Sequence, residues 1–527
     1  MRQYHQQGGI GIAPFARTSF VRGAPAVLFF IGFHVAPCYA ESLTLLDAIR
    51  LNLRNNADIQ LQEKQVDSSA AVLQQASGQF DTVISLKGGR NVDNSPVSQY
   101  DATQYATVAP NLTQIKSNTN TYLTEADVPL RNGMVVSSNI GVTTNYGTVT
   151  DLQRQAPQNA GTVNFSIRVP LAKGRGDIAA SGEVAAGHEL EAAQKTLRFT
   201  ISQGVLNTLS SYWTVQANEK NLQIARASEA GIRQMLEENR KLVAADEMAA
   251  ADIHLLRANL LEKTANRIAA EQSLLEAKQR LGMLLGMGQS QLASMAVEPE
   301  FIAALNDASR LKSELARLID TAMQARPDLL AARLHQKSAK IMTEQTRDAL
   351  KPQIDLVLNA GYAGLSEGGS AYDGLTRNRA KPNIGATISY QWPVKNNVAQ
   401  GRYKQQIASY ESATIQIGEL ERSISFSVEA ALANVVSLSR QLQESQEVAD
   451  LYQVVAKNEL LKYRLGSSTM LNVLSANDHL LSARQNRISS LFNLLNAQAQ
   501  LKHQTMSLFA GDGQGQLINI ERLLSIP

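Results

Sequence analysis

The sequence predicts an α+β fold that is mostly α-helical, in which very long helical hairpins are combined with β-strands. Three observations predict it. Apolar residues recur at steps of three and four over two unusually long stretches, which is the spacing of an amphipathic helix. Elsewhere the period shortens to two, as in a strand with one apolar and one wet face. The same order of helix, strand and helical hairpin occurs twice, which predicts an internal two-fold repeat.

The first 40 residues have the features of a secretory signal peptide. They carry three of the 50 lysines and arginines and none of the 47 acids, so 47 residues of each charge remain afterwards. The apolar stretch 24–36 is too short to span a bilayer, and we expect cleavage after Ala40. Cys38, the only cysteine, would leave with the peptide. Lipid attachment at Cys38 is the alternative, which Pro37 disfavours. The neutral remainder argues against nucleic acid as a partner.

A long helical hairpin is predicted over residues 400–504. No proline interrupts 400–465, a stretch that corresponds to roughly 100 Å of helix. Gly466 ends this arm because glycine adopts conformations that a helix cannot continue through. Residues 467–469 are candidate caps for the second arm. The predicted apolar stripes comprise Ile424, Val428, Leu432, Val435, Leu438 and Leu442 on the first arm, and Leu471, Leu474 and Leu481 on the second.

A second hairpin of the same kind is predicted earlier, with arms at 178–245 and 247–285. When the two tips are aligned, Asp246 takes the position of Gly466 and Asp252 takes that of Asn472. Helices of this length must bury their stripes against neighbours of similar length, in the same chain or in other subunits. The predicted seam of the second arm is Ile253, Leu256, Leu260, Ile268 and Leu275.

About six strands are predicted, and the shorter helices precede them. Short helices are expected at 43–54, 58–77, 315–325 and 328–350, and strands at 80–86, 122–130, 134–146, 163–169, 354–358 and 383–392. Polar segments at 91–120, 147–161 and 364–381 are expected to be loops. The order of elements divides the chain into a signal peptide (1–40), a first repeat (41–290), a second repeat (291–511) and a tail (512–527).

The two-faced strands fit either the edge of a soluble sandwich or the wall of a membrane β-barrel. Strand lengths of about 9 to 11 residues and aromatic residues near strand ends, such as Tyr362, Tyr390 and Trp392, favour the barrel. Six strands are too few for the smallest barrels, so several subunits would share one. Because no strand edge stays open inside a bilayer, such a wall would close around water and form a pore.

Several groups of residues, in this order and spacing, resemble the TolC-like outer-membrane efflux protein family over essentially all of 41–511. They are Val169-Pro170-Leu171 with Gly174 and Gly176, Tyr212-Trp213, Arg326-Pro327-Asp328-Leu329, and Tyr463-Arg464-Leu465-Gly466-Ser467-Ser468 with 471–474.

The resemblance implies a homotrimer whose shared outer-membrane β-barrel continues as an α-helical tunnel across the periplasm. It would be a passive exit duct of a tripartite efflux or type I secretion system. The implied partners are a periplasmic adaptor (membrane fusion protein), an inner-membrane transporter and outer-membrane lipid, with no cofactor.

The resemblance also implies a pore constriction at the tips, where acidic side chains favour cations in the family. The matching positions here are Asp252, Asn472 and Ser475, so the acidic ring is weakened. Asp478, one turn further, is either a substitute acid or a solvated surface aspartate.

Adaptor contacts at the tips are implied for Arg464, Leu465, Gly466, Ser467 and Asp246. Arg464 is alternatively a solvated cation that interacts with the C-terminal dipole of its helix. An exposed leucine beside a glycine turn, Leu465, would serve as a knob for a partner helix.

One departure from the family concerns the strands. The family commonly has four strands per subunit and a twelve-stranded barrel, whereas 122–146 forms an additional alternating hairpin. This hairpin either enlarges the barrel or projects from it.

Two other classes of function share some of these sequence features. A non-porous periplasmic coiled-coil structural or adaptor protein would share the long hairpins but gives no reason for the strands between them. A secreted hydrolase is disfavoured because the histidines lack catalytic or metal-binding spacing, so neither enzymatic activity nor a metal site is expected. His254 and His479 lie near the tips, where they are either polar helix-face residues or pH-sensitive groups. The histidines are His188, His254, His335, His479 and His503.

Overall fold

The computed structural model describes residues 43–244, 251–288, 291, 312–377 and 380–508. The predicted signal peptide with Cys38, the tip residue Asp246 and the tail at 512–527 lie outside the described residues, as does most of the connector between the two predicted repeats.

The described residues form helices and a single sheet in the predicted order. The helices are α1 Leu45–Asn55, α2 Ala57–Ser77, α3 Gln99–Tyr105, α4 Thr148–Leu152, α5 Ser181–Ala244, α6 Ala251–Leu284, α7 Leu315–Ala325, α8 Pro327–Asp348, α9 Ala371–Thr376, α10 Asn397–Arg464 and α11 Met470–Gln504. The strands are β1 Val83–Pro96, β2 Gln114–Pro129, β3 Val135–Gly147, β4 Gln158–Pro170, β5 Gln353–Glu367 and β6 Asn383–Gln391. The short helices α3, α4 and α9 lie in segments that were predicted to be loops.

The two long hairpins lie side by side in one layer. Helix α5 pairs with α6 and α10 pairs with α11, while α5 also packs along α11, so the helices run in the order α6, α5, α11, α10. Nearer the strands, α8 contacts both α5 and α10, and α2 packs on α5. The arms α5 and α10 have 64 and 68 residues, roughly 100 Å each. The layer is therefore four helices wide at both levels.

The turn between α10 and α11 forms as the sequence predicts, with one difference in capping. Gly466 has φ +73°, and the Ser467 amide donates to the Lys462 carbonyl, a hydrogen bond that closes the helix C-terminus. Thr469 is the cap of α11, and its side chain accepts a hydrogen bond from the Asn472 amide. Ser467 instead donates its hydroxyl back to Lys462.

The apolar stripe predicted on α10 is confirmed. Its members pack with α7, α8 and α11 in one cluster, in which Leu438 is half-buried and the others are buried. The Tyr212-Trp213 pair on α5 is also core, in a cluster shared with α1, α6 and α11. A third cluster near the tips combines residues of all four long helices, including Leu236, Leu256 and Val473.

Three predicted seam residues are wrong. Ile268 and Leu275 on α6 are 55% and 48% exposed, and Leu471 on α11 is 62% exposed. The buried residues of α6 are instead Leu256, Lys263, Ala277, Leu281 and Gly282, and the first three are separated by seven and by fourteen residues. This spacing follows the 3.5-residue period of a coiled-coil seam, so Ile268 and Leu275 belong to a second stripe on the outer surface. On α11, Met470, Val473 and Leu474 are buried instead.

The six strands form one antiparallel sheet in chain order, β1 to β6. The existence of each predicted strand is confirmed. Four of the six, β1, β2, β4 and β5, are longer than predicted, with 13 to 16 residues. Many of the additional strand residues come from the polar segments 91–120, 147–161 and 364–381, where the alternation of apolar and polar residues stops but backbone pairing continues. Among the described residues, no helix has the length and apolar composition needed to cross a bilayer.

Candidate functional site

One face of the sheet, the apolar face, exposes a continuous set of hydrophobic side chains. Residues directly opposite each other in antiparallel strands share a face, so the register assigns each side chain. The large exposed members are Ile84, Leu86, Tyr122, Ile140, Phe165, Ile167, Leu358, Ile384, Ile388 and Tyr390. An apolar surface of this extent on a single chain indicates contact with lipid or with protein.

Aromatic residues mark both ends of the apolar face. Tyr390 is paired with Ile354 at one end, beside Trp392, and Tyr122 lies at the other end. Tyr362 follows Ile354 by eight residues on β5, about 26 Å along the strand at 3.3 Å per residue and about 20 Å along the membrane normal at a tilt of about 40°. Transmembrane barrels carry an apolar band of about 25 Å between two aromatic girdles, so the height is comparable.

The opposite face, the polar face, carries hydroxyl, amide and charged side chains. The Lys87 ammonium lies 2.5 Å from the Glu125 carboxylate, and the Arg168 guanidinium lies 3.9 Å from that of Asp355. These charges are therefore compensated in pairs. Other members of this face are Ser85, Asp127, Ser137, Asn139, Asn164, Ser166, Asn359 and Ser389.

The two hairpin tips are joined through Tyr463, at the end of α10. Its hydroxyl donates a 2.7 Å hydrogen bond to Oδ1 of Asn239 on α5. Burial raises the pKa of Tyr463 to about 12, and the nearby Asp252 carboxylate on α6 adds to the rise. One phenol thus connects three helices, a role that the Tyr463 to Ser468 motif alone does not reveal.

The predicted constriction residues all lie at the tip ends of their helices. Asp252 is half-buried in the first turn of α6, beside Tyr463. Asn472 and Ser475 are exposed in the first two turns of α11, and the Asn472 amide group donates to the Ser468 hydroxyl. Asp478 accepts a 2.6 Å hydrogen bond from Lys263 of α6, so its charge is compensated.

The predicted adaptor-contact residues form the exposed end of the second hairpin. Leu465 is 74% exposed, and Arg464, Gly466 and Ser467 are exposed beside it. The Arg464 guanidinium also lies 3.7 Å from the Glu238 carboxylate of α5, so it bridges the two hairpins at their surface.

An ionic network between the long helices was missed by sequence reasoning. Glu229 of α5 is buried and accepts hydrogen bonds of 2.6 Å each from Arg233 and Arg267. Lys263, with a side chain only 5% exposed, pairs with Asp478 across the layer. The sequence did hold a signal for this network, because Lys263 lies seven residues after Leu256 and therefore on the same face of the helix as a predicted seam residue.

A second polar cluster lies where α11 ends against α5. The ring Nδ1 of His503 lies 2.9 Å from the Ser202 hydroxyl. Burial, with a contribution from Arg326, lowers the pKa of His503 to about 4, and burial lowers that of Lys502 to about 8. Arg326 forms an ion pair with Asp328 at 2.6 Å, so this part of the motif has a structural role. Sequence reasoning placed His503 on a helix but did not predict its burial.

Each edge of the helix layer carries an exposed apolar stripe. On α6, the exposed residues Leu261, Ile268 and Leu275 are spaced by seven, and the opposite edge helix α10 carries a comparable set near its tip end. That set is Val448, Leu451, Val454, Val455 and Leu461. Such stripes pack against other long helices.

Among the described residues, no cluster of three or more histidine or acidic side chains is arranged to hold a metal ion. The described contacts instead define a two-faced sheet joined to a layer of long helices.

Comparisons with known proteins agree on one family. Residues 318–505 match the model described as "Outer membrane efflux protein". The outer membrane protein TolC of Escherichia coli K12 is 24% identical over 331 residues, 61% of this chain and 64% of TolC, so the chain covers slightly less than two thirds of that relative. The solved structure of the outer-membrane channel OprN has a TM-score of 0.62 at 15% identity, covering 88% of this chain and 89% of OprN. That of VceC from Vibrio cholerae has a TM-score of 0.61 at 15% identity, covering 88% and 95%.

Proposed function

Because the chain belongs to the TolC-like outer-membrane efflux proteins, which places it in the outer membrane, we propose that it forms a homotrimeric channel there. The channel is the passive exit duct of a tripartite efflux or type I secretion system. The observation that carries this proposal is the sheet, which exposes an apolar band of membrane thickness on one face and polar side chains on the other. No enzymatic step is required of it.

The trimer is supported by the unpaired edges of the fold. Strands β1 and β6 each have a neighbour on one side only within the sheet, and open edges are not tolerated inside a bilayer. The apolar stripes lie on α6 and α10, the two edges of the helix layer. Rotational assembly of identical subunits brings β6 of one copy beside β1 of the next and α6 beside α10, which covers both features.

The order of elements supports two repeats, 41–290 and 291–511, each with short helices, strands and a long hairpin. A signal peptide at 1–40 and a tail at 512–527 complete the proposed organisation. In this arrangement the strands lie in the outer membrane, where they contact lipid, and the hairpins extend into the periplasm as a tunnel.

The tips are the proposed site of closure and of docking. Asp252, Asn472 and Ser475 would line the constriction, with one acid instead of a complete acidic ring. The exposed turn at 464–467, together with Asp246, would contact a periplasmic adaptor linked to an inner-membrane transporter. Leu465 is the central residue of this surface because it is a large apolar side chain that is mostly exposed at the turn.

The proposal is tested by reconstituting the purified protein in planar bilayers after determination of its native mass. We expect a trimer that conducts ions and stays with outer membranes through carbonate and high-salt washes. A well-folded protein that shows no conductance, or that is released by the washes, would overturn the channel and favour a peripheral coiled-coil scaffold.

A further inference from the structure

We propose that β2 and β3 are permanent strands of the pore wall, so that three subunits close an eighteen-stranded barrel instead of a twelve-stranded one. This inference rests on the proposed trimeric channel and specifies the width of its outer-membrane pore. It implies that the pore passes cargo bulkier than a twelve-stranded barrel admits.

The hairpin formed by β2 and β3 occupies the middle of the sheet. Strand β1 pairs with β2 from Val83 opposite Asp127 to Pro96 opposite Gln114. Strand β3 pairs with β4 from Val135 opposite Arg168 onwards. A hairpin that projected from the wall would leave β1 to pair with β4, whereas here both ladders run along nearly the full strands.

Both faces of the sheet continue through the hairpin without interruption. On the apolar face, one row runs through Ile84, Ala126, Ser138 and Phe165. The hairpin adds large apolar side chains to that face at further rows, among them Tyr122, Val128, Val136, Ile140 and Val142. An apolar surface in line with that of β4 and β5 suits strands that contact lipid, because a hairpin in water would gain nothing from it.

The turn of the hairpin is fixed to the first helix of the tunnel. The Arg131 guanidinium donates two hydrogen bonds, each of 2.8 Å, to the Glu183 carboxylate of α5. The Gly176 amide donates to the Asn132 carbonyl at 3.0 Å. Gly133 has φ +86°, and a Cβ there would lie 2.1 Å from the Gly174 carbonyl oxygen. The turn therefore packs against the strand-to-helix connection too closely to be a loose insertion.

The width of a six-stranded sheet matches the width of the helix layer below it. At about 4.8 Å per strand and a tilt of about 40°, six strands span roughly 38 Å of circumference and four strands roughly 25 Å. Four helices, α2, α5, α8 and α10, span roughly 36 to 40 Å at 9 to 10 Å each. With six strands the barrel continues into the tunnel without a change in circumference.

The extra strands set the pore diameter. Eighteen strands give about 36 Å between opposite backbones, and twelve give about 24 Å. Side chains reduce the free bore to roughly 25 Å and 14 Å. Helix α9 does not fill this bore. The helix packs on the apolar face, against Gly161 and Gly364. A Cβ on either glycine would lie 2.5 or 2.3 Å, respectively, from the carbonyl oxygen of Gly374 in α9. The wall thus admits bulky solutes and compact polypeptides.

Disulfide mapping in the polar face tests the strand order in the assembled protein. Ser85, Glu125, Asn139 and Asn164 lie in one row, and Cys38 is the only native cysteine. We expect Ser85→Cys/Glu125→Cys and Asn139→Cys/Asn164→Cys to cross-link. Ser85→Cys/Asn164→Cys should not, because three strand spacings place these positions about 14 Å apart and a disulfide needs about 4.4 to 6.8 Å.

Closure between copies is tested with Ser85→Cys against Gly385→Cys, Thr387→Cys and Ser389→Cys on the polar face of β6. One pair should yield covalent dimers and trimers, while Ser85→Cys/Ile388→Cys, on opposite faces, is the control without a product. Poly(ethylene glycol) of about 20 Å hydrodynamic diameter, added on the outer side, should enter the pore and lower the conductance.

The outcomes separate the two proposals. A Ser85–Asn164 cross-link, or exclusion of the polymer, in conducting trimers would overturn the eighteen-stranded wall and leave the channel intact. A failure of all three β6 pairs in conducting trimers would likewise overturn closure through β1 and β6. If there are neither trimers nor conductance, the proposed function itself fails.

Discussion

The hydroxyl of Tyr463 on α10 donates a hydrogen bond to Asn239 on α5, and both side chains are buried where the two hairpins end. Tyr463→Phe leaves the Asn239 acceptor buried without this donor, at a cost of about 1 to 3 kcal/mol. We expect the tips to separate more readily, which raises the mean conductance or open probability in planar bilayers. Tyr452→Phe, on the same helix, is the matched control. Equal conductance of both variants and the parent would contradict a closing role for Tyr463.

Sequence reasoning located this tip but not its internal contacts. The end of α10 could be predicted because the turn needs a positive φ, which glycine adopts readily, and Gly466 stands there. The α10 stripe could be predicted because the spacing of its apolar residues is a local feature of the sequence. Ile268 and Leu275 were misassigned because an apolar stripe on the outside of the helix layer has the same period as one that faces the chain's own core. The outer halves of the strands were missed for a related reason. Above an apolar band both faces are wet, so alternation ends while backbone pairing continues.

The proposed constriction, with Asp252 in place of a complete acidic ring, predicts how ion selectivity responds to substitution. Asp252→Asn should lower the cation-to-anion permeability ratio, and Asn472→Asp should raise it, since one charge at the constriction is worth about 0.5 to 1 kcal/mol in a wet pore. That energy corresponds to roughly a two- to fivefold change. The measurement is the reversal potential under a tenfold KCl gradient, with Asp252→Glu as the charge-preserving control. Unchanged reversal potentials would show that Asp252 and Asn472 do not line the constriction.

The buried Lys263 predicts an asymmetric response to the loss of either partner. Asp478→Asn leaves the buried ammonium with the exposed Glu262 carboxylate, at 3.3 Å, as its partner among the described residues, and we expect a loss of about 1 to 3 kcal/mol. Lys263→Met removes the charge and retains an unbranched side chain at a seam position, so its loss should be smaller or absent. Denaturant midpoints of the solubilised protein measure the relative stabilities of the parent and the two variants. A Lys263→Met variant less stable than Asp478→Asn would contradict the account.

Burial of His503 predicts a loss of stability in mild acid. Its pKa is lowered to about 4, against about 6.5 for an unfolded histidine. Between these values the unfolded chain binds the proton and the folded chain does not. The contribution is therefore complete above pH 6.5 and falls as the pH drops towards 4, by at most about 3 kcal/mol.

The His503→Gln variant isolates this effect from that of the carboxylates. Its stability should decline less than that of the parent between pH 6.5 and 4, as measured by denaturant midpoints at each pH. His479→Gln is the control, because that side chain is exposed and stacks on Tyr452 with ring centroids 5.3 Å apart. Parallel pH profiles of parent and His503→Gln would show that His503 is not kept neutral by the fold.

The two hydrogen bonds between Arg131 and Glu183 predict a charge-reversal rescue. The pair is bidentate, and Arg131 also lies over the Phe80 ring, 5.0 Å from its centroid. Arg131→Glu places two carboxylates together and should destabilise the attachment of the hairpin turn by about 1 kcal/mol per subunit, because the arginine is largely exposed. Adding Glu183→Arg should recover much of this loss. As a separate single variant, Arg131→Lys keeps the charge but should also lose stability, because lysine cannot reproduce the planar fork.

The apparent melting temperature of the solubilised assembly measures these effects, and Arg226→Glu at the exposed pair with Glu271, on α5 and α6, is the matched control. A hairpin attached only by its strands would respond to Arg131→Glu no more than to Arg226→Glu, and Glu183→Arg would then bring no recovery. If Glu183→Arg restores the stability that Arg131→Glu loses, the ion pair between Arg131 and Glu183 holds the turn of the additional hairpin firmly against α5.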